Sequence, residues 1–116
     1  VSQDELFLYD VAKLPHPADV YVTIHNNLAV EISGYFILGL FDDEGNYLRT
    51  VDYEYATIDA SGNYDLLYEL PDVKPLNEEH QDLKIIYSKY FSHIPSLTES
   101  IELINKGIRN YTNTAN

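Results

Sequence analysis

The chain has 116 residues, 45% of them hydrophobic, with 11 Tyr, no Trp and no Cys; this suits one globular domain and excludes disulfides and thiolate metal sites. Acidic residues outnumber basic ones 19 to 7, for a net charge of -12, and such a field repels phosphate backbones and anionic lipid surfaces, so neither nucleic acid nor membrane is an expected partner. No apolar run approaches the ~18 residues of a membrane span, and the absence of Met, even at position 1, reads as one module of a longer chain, with a processed mature chain as the alternative.

Period-two patterning dominates, so the expected elements are strands. "ELFLYDVA" (Glu5 to Ala12) reads as a first or edge strand, and the prolines of "LPHPAD" break it. "DVYVTIH" (Asp19 to His25) alternates, with Val20, Val22 and Ile24 on one face and Tyr21, Thr23 and His25 on the other. "EISGYFILGLF" (Glu31 to Phe41) is apolar on both faces, which fits a central strand. "YLRTVDYEYAT" (Tyr47 to Thr57) groups Val51, Tyr53 and Tyr55 as its inner face, opposite Asp52 and Glu54. "NYDLLYEL" (Asn63 to Leu70) does the same with Tyr64, Leu66, Tyr68 and Leu70, opposite Asp65 and Glu69. After the polar loop "LPDVKPLNEEHQ", the β-branched and aromatic "DLKIIYSKYF" (Asp82 to Phe91) forms the next strand.

The tail, "SLTESIELINKGIRNY" (Ser96 to Tyr111), carries two patterns. Ser96 and Glu99 have capping-box spacing ahead of a helical face of Leu97, Ile101, Ile104 and Ile108. Alternatively Asn105-Lys106-Gly107 turns a hairpin between two short strands, which an otherwise all-β chain favours. Residues 112–116 read as disordered. The expected core is Val20, Val22, Ile24, Ile32, Phe36, Leu38, Leu40, Val51, Tyr53, Tyr64, Leu66, Tyr68, Ile85 and Tyr87.

"DDEGN" and "DASGN" place acidic residues before a glycine twice. A Ca²⁺ loop would need acids at alternate positions and a distal Glu, a spacing that "DDEGNY" lacks. Both are read instead as hairpin turns, at Asp43-Glu44-Gly45 and Ala60-Ser61-Gly62, with each glycine supplying positive φ and Asp capping the turn.

Thr57, Asp59, Gly62 and Tyr64, followed by Leu70 and Pro71, resemble the Thr-x-Asp-x-x-Gly-x-Tyr turn, strand and Leu-Pro of transthyretin-like and Cna-B-like modules. "PDVKPLNEEH" stands where those modules usually carry Pro-Gly-x-Tyr. The resemblance implies one antiparallel Ig-like or transthyretin-like β-sandwich of about seven strands over residues 1–116. It also implies an extracellular or cell-surface bacterial protein in which such modules serve as spacers, stalk units or adhesive domains beside neighbouring domains. Some members form an internal Lys–Asn isopeptide bond. The residues that would fill those roles here are Lys13, Asn105 or Asn110, and Glu54 or Glu69, although both Glu residues read as facing outward.

No enzyme is read from the remaining chemistry. His16, His25, His80 and His93 lack HxH or HxxxH spacing, so no metal or cofactor is assigned. No GxSxG occurs, and the acidic pairs fall on solvent-facing strand positions. Tyr21 and Tyr35 point away from the main core face, which makes them the candidate contacts for a glycan, peptide or protein ligand.

Overall fold

The computed structural model describes residues 6–14, 18–70, 80–90 and 100–110. The strands are β1 (Leu6–Asp10), β2 (Ala18–Asn26), β3 (Ile32–Asp42), β4 (Tyr47–Ile58), β5 (Asn63–Leu70), β6 (Gln81–Ser88) and β7 (Ile101–Asn110), with a 3-10 turn at Val11–Lys13. They form an antiparallel sandwich: a four-stranded sheet ordered β1-β6-β3-β4 and a three-stranded sheet ordered β5-β2-β7. The neighbours β2–β5 and β3–β6 are those of an immunoglobulin constant domain. The outer strands differ from that order, with β1 joined to β6 and β7 joined to β2.

The alternation fixes which face each strand buries. Val20, Val22 and Ile24 of β2 meet Leu66, Tyr68 and Leu70 of β5 from one sheet, and Phe36, Leu38, Leu40, Leu83, Ile85 and Tyr87 from the other; all are buried. The two buried tyrosine hydroxyls are satisfied by backbone. Tyr68 donates across the sandwich to the Phe36 carbonyl, and Tyr87 donates to the Ser33 carbonyl, both at 2.8 Å. A buried hydroxyl without such a partner would cost about 1–3 kcal/mol.

The expected core holds, with partly buried Val51 and Tyr64 packing at its margin, except at Tyr53. Tyr53 and Tyr55 are 51% and 57% exposed. The cause is a bulge: Leu38 pairs with Asp52 but Gly39 pairs with Thr50, which leaves Val51 as an extra residue. Val51 still packs on the core, while Tyr53 and Tyr55 lie opposite Ile37 and Tyr35 on the outer face. Asp52 and Glu54 are correspondingly not surface acids facing open solvent. Asp52 accepts from the Glu69 backbone N–H at 3.0 Å and Glu54 from the Tyr64 hydroxyl at 3.2 Å, which stitches the β4 edge to the β5 edge.

The two Asp-Gly turns differ. The first joins the paired strands β3 and β4 and is a hairpin. Asp42 accepts from the backbone N–H groups of Glu44 and Asn46, and Gly45 sits at φ 86, as a type I turn with a left-handed third residue requires. The second joins β4 to β5, which lie in opposite sheets, so it is an arch between sheets and not a hairpin. Its left-handed residue is Ser61 (φ 55), not Gly62. The arch needs no ladder because Asn26 supplies the bonds: Gly62 accepts from the Asn26 N–H, and the Asn26 side chain donates to Asp59, Ile58 and Val30 carbonyls.

The tail is neither helix nor hairpin over its described part. Ile101–Asn110 is one strand paired along the whole of β2. Gly107 does not turn; it lies opposite Tyr21, whose ring occupies the space a Cβ would need. The expected disorder at 112–116, the loop at 71–79, His16 and His93 lie outside the described residues.

β1 is antiparallel to β6, and β6 to β3, so β1 and β3 run the same way. β7 starts at Ile101 opposite Asn26, beside the arch, and finishes at Asn110 opposite Ala18. The first and last strands therefore both run from the arch end of the sandwich toward the hairpin end.

Candidate functional site

The structure places Tyr21 and Tyr35 on the outer faces of opposite sheets, so they do not form one site. Tyr21, 45% exposed, lies over Gly107 of the neighbouring strand. That contact gives its ring a packing role, an aromatic covering of a strand glycine.

Tyr35 stands in a different setting. It is the cross-strand partner of Tyr55, edge to face at 5.1 Å and 76°, and meets Tyr53 at 6.1 Å and 64°. The next pair along, Ser33 and Thr57, share a hydroxyl hydrogen bond of 2.7 Å. On the other side Ile37, Phe41 and Ile86 form a small apolar cluster with Tyr35 and Tyr47 packed on it. Phe41 is edge to face with Tyr47 and carries the Lys84 ammonium 4.9 Å from its ring centre. The outer face of the four-stranded sheet is thus aromatic and apolar, bordered by hydroxyls. The pattern of β3 exposed Tyr35 to sequence reasoning. Tyr53 and Tyr55 were hidden because an unbroken alternation assigns them to the core, and only the Val51 bulge turns them out.

Chemically, this face can stack rings and offer phenol hydroxyls. Burial first, then the neighbouring Tyr55 phenol, raises the Tyr87 phenol above its ordinary value, so its hydroxyl stays protonated and keeps donating to the Ser33 carbonyl. Several other polar groups have structural partners. Asp65 accepts from the Thr23 hydroxyl at 2.7 Å, and His25 Nδ1 lies 2.7 Å from Asn63 Oδ1 across the same strand pair. Asp19, 1% exposed, is held by Arg109 at 2.6 Å. Of the isopeptide set, Glu54 on β4 and Asn105 on β7 belong to strands at opposite edges of the sandwich. The side chains of Lys13 and Asn110 lie outside the described residues.

Comparison of the chain with protein-family models, with curated proteins and with solved structures finds no match.

Proposed function

We propose that the chain is a non-catalytic structural and adhesive β-sandwich module of a secreted or cell-surface bacterial protein, of the transthyretin-like or Cna-B-like kind. The observation that carries this reading is the common direction of β1 and β7, which leads the chain through the sandwich from the arch end to the hairpin end. A module traversed in one direction joins its neighbours end to end, which is what a stalk needs. The strand alternation, the aromatic face and the high negative charge fit a module that stays soluble while displayed. The test is a tandem of three copies joined through their own termini. Small-angle scattering should show the maximum dimension growing by about one strand length, ~30 Å, or more per copy; copies that fold back without lengthening the particle contradict a stalk role.

A second reading rests on the Tyr35–Tyr53–Tyr55 group: a glycan- or peptide-binding module, with the rings as stacking platform and Ser33 and Thr57 as hydrogen-bonding rim. A glycan or peptide array should then show binding that falls on Tyr53→Ala or Tyr55→Ala and persists on Tyr21→Ala. An array on which nothing binds removes this reading and leaves the first.

A further inference from the structure

We propose a divalent transition-metal site at the hairpin end of the four-stranded sheet, formed by Asp10, His80 and Asp82, with Zn²⁺ as the matching ion. The three residues come from the end of β1 and the start of β6, and pairing of Asp10 with Asp82 across those strands brings them together. One ligand atom from each lies within 4.8 Å of the others. His80 Nε2 is 2.9 Å from Asp82 Oδ1, and Nδ1 is 3.7 Å from Asp10 Oδ2. One imidazole nitrogen serves one ion, so His80 enters through a single nitrogen; ligands on a tetrahedral Zn²⁺ at about 2.0–2.1 Å stand roughly 3.3 Å apart, and reorientation of the ring with closure of the carboxylates from their present spread of up to 4.8 Å forms the set. Asp10 uses its Oδ1 to cap the 3-10 turn through the Ala12 N–H, which fixes the carboxylate and directs Oδ2 toward the imidazole.

One further feature separates this end from an ordinary surface ion pair. His80 also lines a cavity of about 340 Å³ whose other walls are Asp42, Asp43 and Glu44, so carboxylates concentrate cations on both sides of the ring. An imidazole with two carboxylates selects a first-row transition ion over Ca²⁺, which takes six to eight oxygens.

The test is calorimetric titration of the tag-free full chain with ZnCl₂, together with thermal melts. The expected result is saturable one-to-one binding with a rise in Tm, while CaCl₂ at the same concentration leaves Tm unchanged. His80→Gln should weaken Zn²⁺ binding by about tenfold or more, and Asp82→Asn should weaken it independently, with His25→Gln unchanged. Both His80 and Asp82 are substituted conservatively, and the melt of each metal-free variant establishes that it folds. Absence of saturable Zn²⁺ binding overturns the proposal, as does binding that survives both His80→Gln and Asp82→Asn.

Discussion

Asn26 offers the sharpest quantitative test of how the sandwich is closed. It is fully buried at the end of β2, and its side-chain amide donates to the carbonyls of Val30 at 2.8 Å, Asp59 at 3.1 Å and Ile58 at 3.3 Å. Its Oδ1 accepts from the Leu28 N–H at 2.9 Å. One side chain therefore holds both the β2–β3 connection and the arch from β4 to β5. The amide has two hydrogens for three carbonyls, so it makes about two donor bonds' worth of interaction, plus one as acceptor. Three bonds at a net ~1 kcal/mol each, together with carbonyls left without a donor, place Asn26→Ala at about 3–4 kcal/mol of destabilisation. For a domain of this size that is a fall in Tm of roughly 10–20 °C. Urea unfolding followed by tyrosine fluorescence measures it, with the midpoint falling and the slope unchanged. Asn26→Asp discriminates further. It keeps the acceptor for Leu28 but turns a second oxygen toward the carbonyls, so it should be no better tolerated than Ala although it is isosteric. A loss below about 1 kcal/mol for Asn26→Ala would refute the reasoning, because water would then replace the side chain at little cost.

Arg109→Ala leaves the buried carboxylate of Asp19 without the contact at 2.6 Å; with the guanidinium itself largely exposed, the cost should be about 2–3 kcal/mol by urea unfolding, and smaller in an Asp19→Asn background. At the two turns the glycine rule separates: Gly45→Ala should destabilise by about 1 kcal/mol because residue 45 holds φ 86, whereas Ser61→Gly should raise Tm slightly by relieving a left-handed serine. Hydrogen bonds from Asn46 first, and from Glu44 and Gly45, hold the Asp42 carboxyl below its ordinary 3.8. That contribution is present above 3.8 and is lost as pH falls through the lower folded value, so the Tm deficit of Asp42→Ala measured at neutral pH should shrink in acid. Burial raises the Tyr68 phenol well above 10.0; stability from this group is present below pH 10.0 and is lost as pH rises beyond it, so Tyr68→Phe should lower stability by about 1 kcal/mol at neutral pH and blunt alkaline unfolding.

The fold was legible where strands run uninterrupted. Val20, Val22 and Ile24, or Leu66, Tyr68 and Leu70, bury as counted because each segment keeps period two from end to end. Legibility failed where one residue breaks the count. The bulge at Val51 reverses the faces of Tyr53 and Tyr55, and a single-sequence alternation carries no mark of a bulge. The tail failed for a different reason. Asn105-Lys106-Gly107 has the local chemistry of a turn, but β2 pairs with the strand from Ile101 to Asn110, skipping only Ile104 at a bulge, and Tyr21 fills the space over Gly107. Tertiary pairing outweighs a local turn preference of about a kilocalorie. The second Asp-Gly stretch carries the mark of a turn but not of the hairpin expected there, because whether two strands share a sheet is decided by their other neighbours and not by the residues between them.

The same distinction explains what could be read of the candidate sites. Tyr35 was legible because its role depends on strand phase, a local property. The grouping with Tyr53 and Tyr55 was not, because it needs the register of β4 against β3. The Asp10–His80–Asp82 set is harder still. Metal spacings visible in a sequence come from one helix turn or one strand, whereas here β1 brings Asp10 to the start of β6 from the far end of the chain. Each residue alone looks like a solvated surface group. What distinguishes them is a property of the sheet end, where the end of β1 meets the start of β6 and the residue before it. Strand ends are the natural place for such convergence, since side chains there are no longer forced to alternate against a neighbour and can turn toward one another over the edge of the ladder.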